Sequence, residues 1–358
     1  MNTPSSYSID SHTTAYFPFN TSLRYCTPLP LHRALIMAST TTTTFKFPHV
    51  PPAGVWVPTV TYFSPDTHSL DLAAQAKYYT YLASTGLAGL VILGTNSETF
   101  LLTREERLAL IQCAREAVGP DFPLMAGIGG HSTKQVLEFA DDAYKAGANY
   151  TLCLPAAYFG KATTNAVVES FFRDVAEGSR LPVVLYNFPA VTNGVDMDSE
   201  LITKMAKENS NIVGVKLTCA SVGKIVRLAA TFKPEEFAVY GGQSDFIIGG
   251  LSAGSAGCIA GFANIFPKTI VQIYKLYKAG KIDEALELHK IAALAESPCK
   301  AGIASVKYGV SLHSALEAGI ENPGEKLKPR KPYEEASDAA KKGIRDAFVF
   351  IEKKEVSL

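Results

Sequence analysis

Residues 211–218 read NIVGVKLT. Ile212, Val213, Val215 and Leu217 make the run apolar without alternation, as in a parallel strand covered on both faces. Lys216 interrupts it. A lysine is almost never fully buried unless something pairs with it or uses it, and residues 211–218 contain no acidic side chain to neutralise it. If the run is a strand of a covered parallel sheet, other strands like it must exist, with helices between them.

They are present. Strand-like runs lie at 54–61 (GVWVPTVT), 89–95 (GLVILGT), 122–130 (FPLMAGIGG), 149–155 (NYTLCLP), 181–189 (LPVVLYNFP), 237–243 (FAVYGGQ) and 254–262 (GSAGCIAGF), making eight in all. Helical patterns separate them. TREERLALIQCAREAVG opens with a capping box, Thr103 and Glu106, and STKQVLEFADDAYKAG repeats the device with Ser132 and Gln135. The second segment then places Val136, Phe139, Ala140 and Ala143 on one face and stops at Gly147. TTNAVVESFFRDVAEGS, DSELITKMAKENS and FPKTIVQIYKLYKAG have the same form. Eight strand–helix units predict an α/β fold, a closed (β/α)8 TIM barrel over residues 47–280. An open doubly wound sheet is the alternative, but no GxGxxG follows the first strand. Beyond 280 strands cease, and KIDEALELHKIAALAES, AGIASVKYGVSLHSAL and EEASDAAKKGIRDAFVFIEKK predict a C-terminal helical appendage over 281–358.

Composition narrows the function. The 358 residues carry 34 basic and 34 acidic side chains, so no charge excess marks a nucleic-acid or anionic-membrane partner. No apolar run reaches the roughly 18 residues of a membrane span. The six cysteines form no CxxC pair, and the seven histidines no HExxH or similar pair. This argues for a reducing compartment, read as the cytoplasm, and against a metal enzyme. Residues 1–46 are Ser-, Thr- and Pro-rich with a single acid, Asp10, and predict a disordered extension. Such an acid-poor leader carrying Arg24 and Arg33 is also compatible with a transit peptide, which would make the protein mitochondrial.

The active site of a (β/α)8 barrel lies at the C-terminal ends of its strands. That rule selects Thr95, Asn96 and Glu98 after strand 2, Tyr158 after strand 4, and Tyr186 and Asn187 after strand 5. It also selects Lys216 and Thr218 on strand 6, the GGQSD run after strand 7 and CIAGF at strand 8. Lys216 has two readings. Its stem packs in the barrel while its ammonium snorkels or pairs, or burial lowers its pKa and the free amine attacks a ketone to form a Schiff base. Tyr186 is a core tyrosine or a general acid/base. Thr95 and Asn96 cap the next helix or donate to a substrate carboxylate. GGQSD has no basic residue and no P-loop spacing, which argues against phosphate.

In combination, GTNSE after strand 2, YNFP after strand 5, GVKLT on strand 6 and the GF.N..P run at 261–267 resemble the dihydrodipicolinate synthase / N-acetylneuraminate lyase family of pyruvate-dependent class I aldolases, over roughly 50–355. The resemblance implies that Lys216 forms an imine with the ketone of a 2-oxo acid and that Tyr186 is the acid/base beside it. It further implies that Thr95 and Asn96 hold the carboxylate, with Thr95 also relaying protons, and that Gly242 and Ile259 line the pyruvate pocket. Tyr158 would match a relay tyrosine crossing a dimer interface, although PAAYFG departs from the family's PYY run. No metal or separate cofactor is implied, only the covalent Schiff base with pyruvate. The partners implied are a small 2-oxo acid, an aldehyde and further copies of the chain, in a dimer or tetramer.

Two departures bear on the substrate. Ser97 stands where the family pattern G-[ST]-[TN]-G-E has its second glycine, which would restrict the turn. YNFPAVTNG lacks the arginine of the synthase pattern YN.P.RTG, which grips a semialdehyde carboxylate. The run is closer to 4-hydroxy-2-oxoglutarate and 2-keto-3-deoxy sugar acid aldolases. The leading expectation is therefore retro-aldol cleavage of a 2-oxo-3-deoxy acid to pyruvate and an aldehyde, ahead of dihydrodipicolinate synthase and neuraminate lyase. Lys161, in the strand 4 loop, is a candidate to receive a second carboxylate. A catalytically silent barrel binding 2-oxo acids would be expected to have lost Lys216 or Tyr186.

Overall fold

All eight apolar runs are strands, shorter than the runs that predict them: β1 (Gly54–Pro58), β2 (Gly89–Ile92), β3 (Leu124–Gly127), β4 (Tyr150–Cys153), β5 (Val183–Asn187), β6 (Ile212–Leu217), β7 (Ala238–Gly241) and β8 (Gly257–Ile259). Each pairs in parallel with the next, and β1 pairs with β8 to close the barrel. The open doubly wound alternative is thereby excluded. The structure is a computed structural model that describes residues 47–358. The reading of 1–46 as an extension or leader lies outside the described residues.

A helix follows every strand: α1 (Leu72–Ala83), α2 (Arg104–Val118), α3 (Thr133–Lys145), α4 (Asn165–Gly178), α5 (Ser199–Glu208), α6 (Val222–Thr231), α7 (Ile247–Ser252) and α8 (Pro267–Lys278). The capping box at Thr103 and Glu106 is complete. At α3 only half of the device forms: the Gln135 N–H donates to Ser132, but the Gln135 side chain accepts from the His131 N–H instead. Val136, Ala140 and Ala143 are buried as the pattern requires. Phe139 is half-buried beneath the Arg107 guanidinium, 3.6 Å from its ring centre.

The apolar side chains form two layers. An outer layer, including Val55, Ile92, Val215 and Leu217, lies between strands and helices. An inner layer fills the barrel with Trp56, Val91, Met125, Tyr150, Val184, Tyr186, Val213, Tyr240 and Ile259, among others. Residues 48–52 run beneath this layer. Pro48, Pro51 and Pro52 carbonyls accept from the Tyr150 and Tyr240 hydroxyls and the Trp56 indole, so the buried polar tips of three large side chains are satisfied.

The C-terminal segment forms α9 (Ile282–Glu296), α10 (Ile303–Leu312), the short turns α11 (Ser314–Glu317) and α12 (Pro323–Lys326), and α13 (Asp338–Val356). It is fastened to the barrel by specific polar contacts. Glu355 near the end of α13 accepts from the Lys268 and Thr269 N–H groups, capping the start of α8. Lys307 on α10 donates to Glu98 in the loop after β2 at 2.5 Å, with both side chains buried. The Arg330 N–H also donates to Glu98, while its guanidinium grips Glu106 on α2.

Candidate active site

The orientation of Lys216 depends on an irregularity in β6. Ile212 pairs with Val183, but Gly214 pairs with Val184, so Val213 is an extra residue opposite the step between them. Val213 points into the barrel. In an unbroken strand Val215 and Leu217 would follow it inward and Lys216 would face the helices. The bulge reverses the phase. Val215 and Leu217 belong to the outer layer, while Lys216 pairs with Tyr186 on one side and Tyr240 on the other, both inner residues. Gly214 allows the bulge: a Cβ there would sit 2.6 Å from the Ala238 carbonyl oxygen.

Lys216 is 2% exposed. Its amine lies 4.2 Å from the centre of the Tyr186 ring, and among the described residues no carboxylate is within ion-pair distance of it. The Tyr186 hydroxyl is 3.4 Å from the Thr95 hydroxyl, and its ring stacks on Phe188. Amine, phenol and threonine therefore meet at the C-terminal mouth of the barrel. Thr95 and Asn96 begin a single 3-10 turn. Its first internal bonds come from the N–H groups of Ser97 and Glu98, which leaves those of Thr95 and Asn96 ahead of the first bond.

Ser97 does not strain this turn. The left-handed residue is its neighbour Glu98, at φ 56°, held by Lys307 and Arg330. The Ser97 hydroxyl donates to the Thr59 carbonyl at 2.6 Å and accepts from the Leu93 N–H, tying the ends of β1 and β2 together. Asn264 of the GF.N..P run is likewise a fastener, accepting from the Val60 N–H and donating to the Pro58 carbonyl.

Thr95, Asn96, Tyr186, Lys216 and Gly242 line one cavity of about 180 Å³. Gly242 is required there because a Cβ would come within 2.1 Å of the Thr218 hydroxyl. Gly261 leaves similar room for the Asn96 amide. Ile259 is fully buried in the inner layer and is not part of the lining. Tyr158 is not brought to the site by this chain. It is 71% exposed, in a surface group of rings with His131, Phe159 and Phe100. Lys161 is exposed on a neighbouring turn and lines neither this cavity nor the larger one beside it.

Sequence reasoning missed the cavity's other wall, which comes from the C-terminal segment: Glu296, Cys299, Lys300, Ile303 and Val306. Glu296 is buried and accepts from both the hydroxyl and the N–H of Ser244. Burial pushes its carboxyl up to about 7, against the lowering effect of those two bonds. Lys300 pairs with Asp245 and reaches Gln243 at 3.3 Å. Beside this cavity lies a larger, mainly apolar one of about 550 Å³, sharing Thr95, Phe188, Gly302 and Ile303 with it and including Val191 and Tyr333. Val191 is the residue that stands where the synthase pattern has arginine. Among the described residues no three His, Cys, Asp or Glu side chains gather as a metal site.

Comparison with known proteins extends these findings. Residues 51–347 match the model of the dihydrodipicolinate synthetase family. A protein of Coccidioides immitis named "putative 4-hydroxy-2-oxoglutarate aldolase, mitochondrial" is 66% identical, over 83% of this chain and 95% of its own. A relative from Emericella nidulans, named as a probable mitochondrial 4-hydroxy-2-oxoglutarate aldolase, is 37% identical over 82% of this chain and 93% of its own. The L-threo-3-deoxy-hexylosonate aldolase of Hypocrea jecorina is 35% identical over 83% of this chain and 96% of its own. The crystal structure of a dihydrodipicolinate synthase family protein from Coccidioides immitis superposes with a TM-score of 0.82 at 61% identity, covering 87% of this chain and 99% of that one. The expectation of a cytoplasmic location is corrected by the first two relatives, both named as mitochondrial proteins. Free cysteines had suggested a reducing compartment, and that property does not distinguish one reducing compartment from another.

Proposed function

The chain belongs to the dihydrodipicolinate synthetase family, and from that premise we propose that it is a Schiff-base aldolase releasing pyruvate from a 4-hydroxy-2-oxoglutarate or 2-keto-3-deoxy sugar acid. The observation that carries this reading is Lys216: buried, without a carboxylate partner among the described residues, and beside Tyr186 and Thr95. Relatives named as aldolases on these two substrate classes support the choice of reaction.

The Lys216 amine adds to the C2 ketone of the substrate, and the carbinolamine loses water to give an imine. The protonated imine withdraws electrons. The C4 hydroxyl gives up its proton, the C3–C4 bond breaks, its electron pair forms the enamine, and the aldehyde leaves. C3 then takes a proton, and water hydrolyses the imine to pyruvate and free Lys216. Tyr186 gives and takes these protons, with Thr95 as its relay, a reading supported by the 3.4 Å approach of their hydroxyls. The N–H groups of Thr95 and Asn96 suit the C1 carboxylate. The lysine imine acts as the electron sink, so the reaction calls for no metal or separate cofactor, and turnover is expected to survive EDTA.

Val191 in place of an arginine leaves a semialdehyde carboxylate without its bidentate partner. Steady-state kinetics on 4-hydroxy-2-oxoglutarate, on L-threo-3-deoxy-hexulosonate and on pyruvate plus aspartate semialdehyde tests this. At least one aldol cleavage should exceed the condensation in kcat/KM by about tenfold, or about 1.4 kcal/mol of transition-state discrimination. A faster condensation would replace this reading with the synthase.

We further propose a homo-oligomer in which a second copy covers the exposed rings of Phe100, Tyr158 and Phe159. A mitochondrial location is proposed by analogy with the named relatives. A fluorescent protein carrying residues 1–46 would enter mitochondria if that segment directs import.

A further inference from the structure

The cavity above Lys216 has two unlike walls. Tyr186, Thr95 and Asn96 form one, and the proposed reaction uses all three. The other carries Gln243, Glu296 and Lys300, which the reaction leaves unused. Glu296 is 5% exposed, a position a carboxyl seldom occupies without a purpose or a cation. No ion pair holds it: Lys300 is paired with Asp245, whose opposing charge outweighs the pull of Lys300 on the Glu296 carboxyl. Its bonds are to Ser244, at 2.5 Å from the hydroxyl and 3.3 Å from the N–H, one on each oxygen. A carboxylate oxygen accepts about two hydrogen bonds, so each retains capacity.

The wall thus offers the spare acceptor capacity of Glu296, and its cation, Lys300, is engaged with Asp245. A hydroxyl arriving there finds a partner. A carboxylate arriving there meets a carboxyl in a poorly solvated space, an unfavourable like-charge approach. We propose that Glu296 is a specificity-determining residue for the aldehyde-derived half of the substrate, accepting a hydrogen bond from a hydroxyl on that half and disfavouring a second carboxylate. This deepens the aldolase reading and rests on it. Between the two substrate classes of that reading, it favours the hydroxylated sugar acid.

The groups facing Glu296 are Ser244 and Asp245 after β7, Cys258 on β8, Cys299 and Lys300 on the turn after α9, and His289 one level back, hydrogen-bonded to the Ser244 carbonyl. With the carboxyl pushed up to about 7, its charge develops as pH rises through neutrality. Discrimination against a carboxylate should grow in the same direction.

The test is condensation of pyruvate with two aldehydes, glyceraldehyde, which offers hydroxyls, and glyoxylate, which offers a carboxylate. In Glu296→Gln, whose amide can still bond Ser244 but has lost the charge, the kcat/KM ratio of glyceraldehyde to glyoxylate should fall by about tenfold, mainly through KM. In the unaltered enzyme the same ratio should rise between about pH 6 and 8, and the variant should lose that slope. A residue that merely braces the β7 loop would change both aldehydes alike and leave the ratio constant, which overturns the inference. If the variant does not fold, the pH series on the unaltered enzyme decides, and a flat ratio overturns the inference equally. Borohydride trapping of pyruvate on Lys216 reads the aldolase reading separately. Trapping with a constant ratio defeats only the role of Glu296, whereas absence of trapping defeats both.

Discussion

Lys216 and Lys307 are both buried, one inside the barrel and the other at the seam where α10 meets the loop after β2. Lys307 is 0% exposed and donates to Glu98 at 2.5 Å and to the Lys328 carbonyl at 3.1 Å. Lys224, a third buried lysine, also has a carboxylate partner, the exposed Asp196. Lys216 has an aromatic ring and a cavity instead. Burial alone does not mark a catalytic lysine. Burial without an anion, beside space for a substrate, does.

The largest effect should come from replacing the lysine that lacks a partner. Lys216→Arg offers a guanidinium that stays protonated and cannot act as this nucleophile. Turnover should disappear while the melting temperature changes little. A folded Lys216→Arg enzyme with appreciable aldolase activity would break the contrast at once.

The next variant asks whether Lys216 needs its neighbour. Tyr186→Phe keeps the ring beneath the amine and removes only the hydroxyl that meets Thr95. It should lower kcat by about 10²- to 10⁴-fold, the usual range for a general acid/base, with stability nearly unchanged. Single-turnover measurements should show slow imine formation rather than weak substrate binding.

Lys307 should show the opposite pattern. Lys307→Met removes the ion-pair partner of buried Glu98, leaving it the Arg330 N–H alone, and should cost about 3–5 kcal/mol in urea-induced unfolding. Lys307→Met with Glu98→Gln should recover much of that loss, because the stranded charge is gone. If Lys307→Met instead abolished turnover at unchanged stability, the division between structural and chemical lysines would be wrong.

The contrast also explains what could be read in advance. Parallel strands buried on both faces leave unbroken apolar runs, so all eight were legible, and Lys216 stood out against its run. Lys307 is the single lysine of AGIASVKYGVSLHSAL, where one charge in a helical run reads as an ordinary solvated position, and its partner is 209 positions away. Glu296 was hidden for the same reason. The bulge at Val213 was not legible either: alternation counted from Ile212 gives the wrong face for Lys216, and only the pairing with β5 reveals the extra residue. The helices α1, α6 and α7 were not singled out. The last has six residues with two glycines in them, too little for a periodic pattern. Tyr158 was selected by its place after strand 4, and a single chain leaves it on the surface.

The account stands on Lys216 being the lysine that bonds to substrate. Incubating the enzyme with pyruvate and borohydride, then mapping the product by peptide mass, tests this most directly. Reduction converts the imine to a stable secondary amine. The account predicts that adduct on the peptide containing Lys216, and none on those containing Lys307 or Lys224. An adduct on another lysine, or an active enzyme that acquires none, would contradict it.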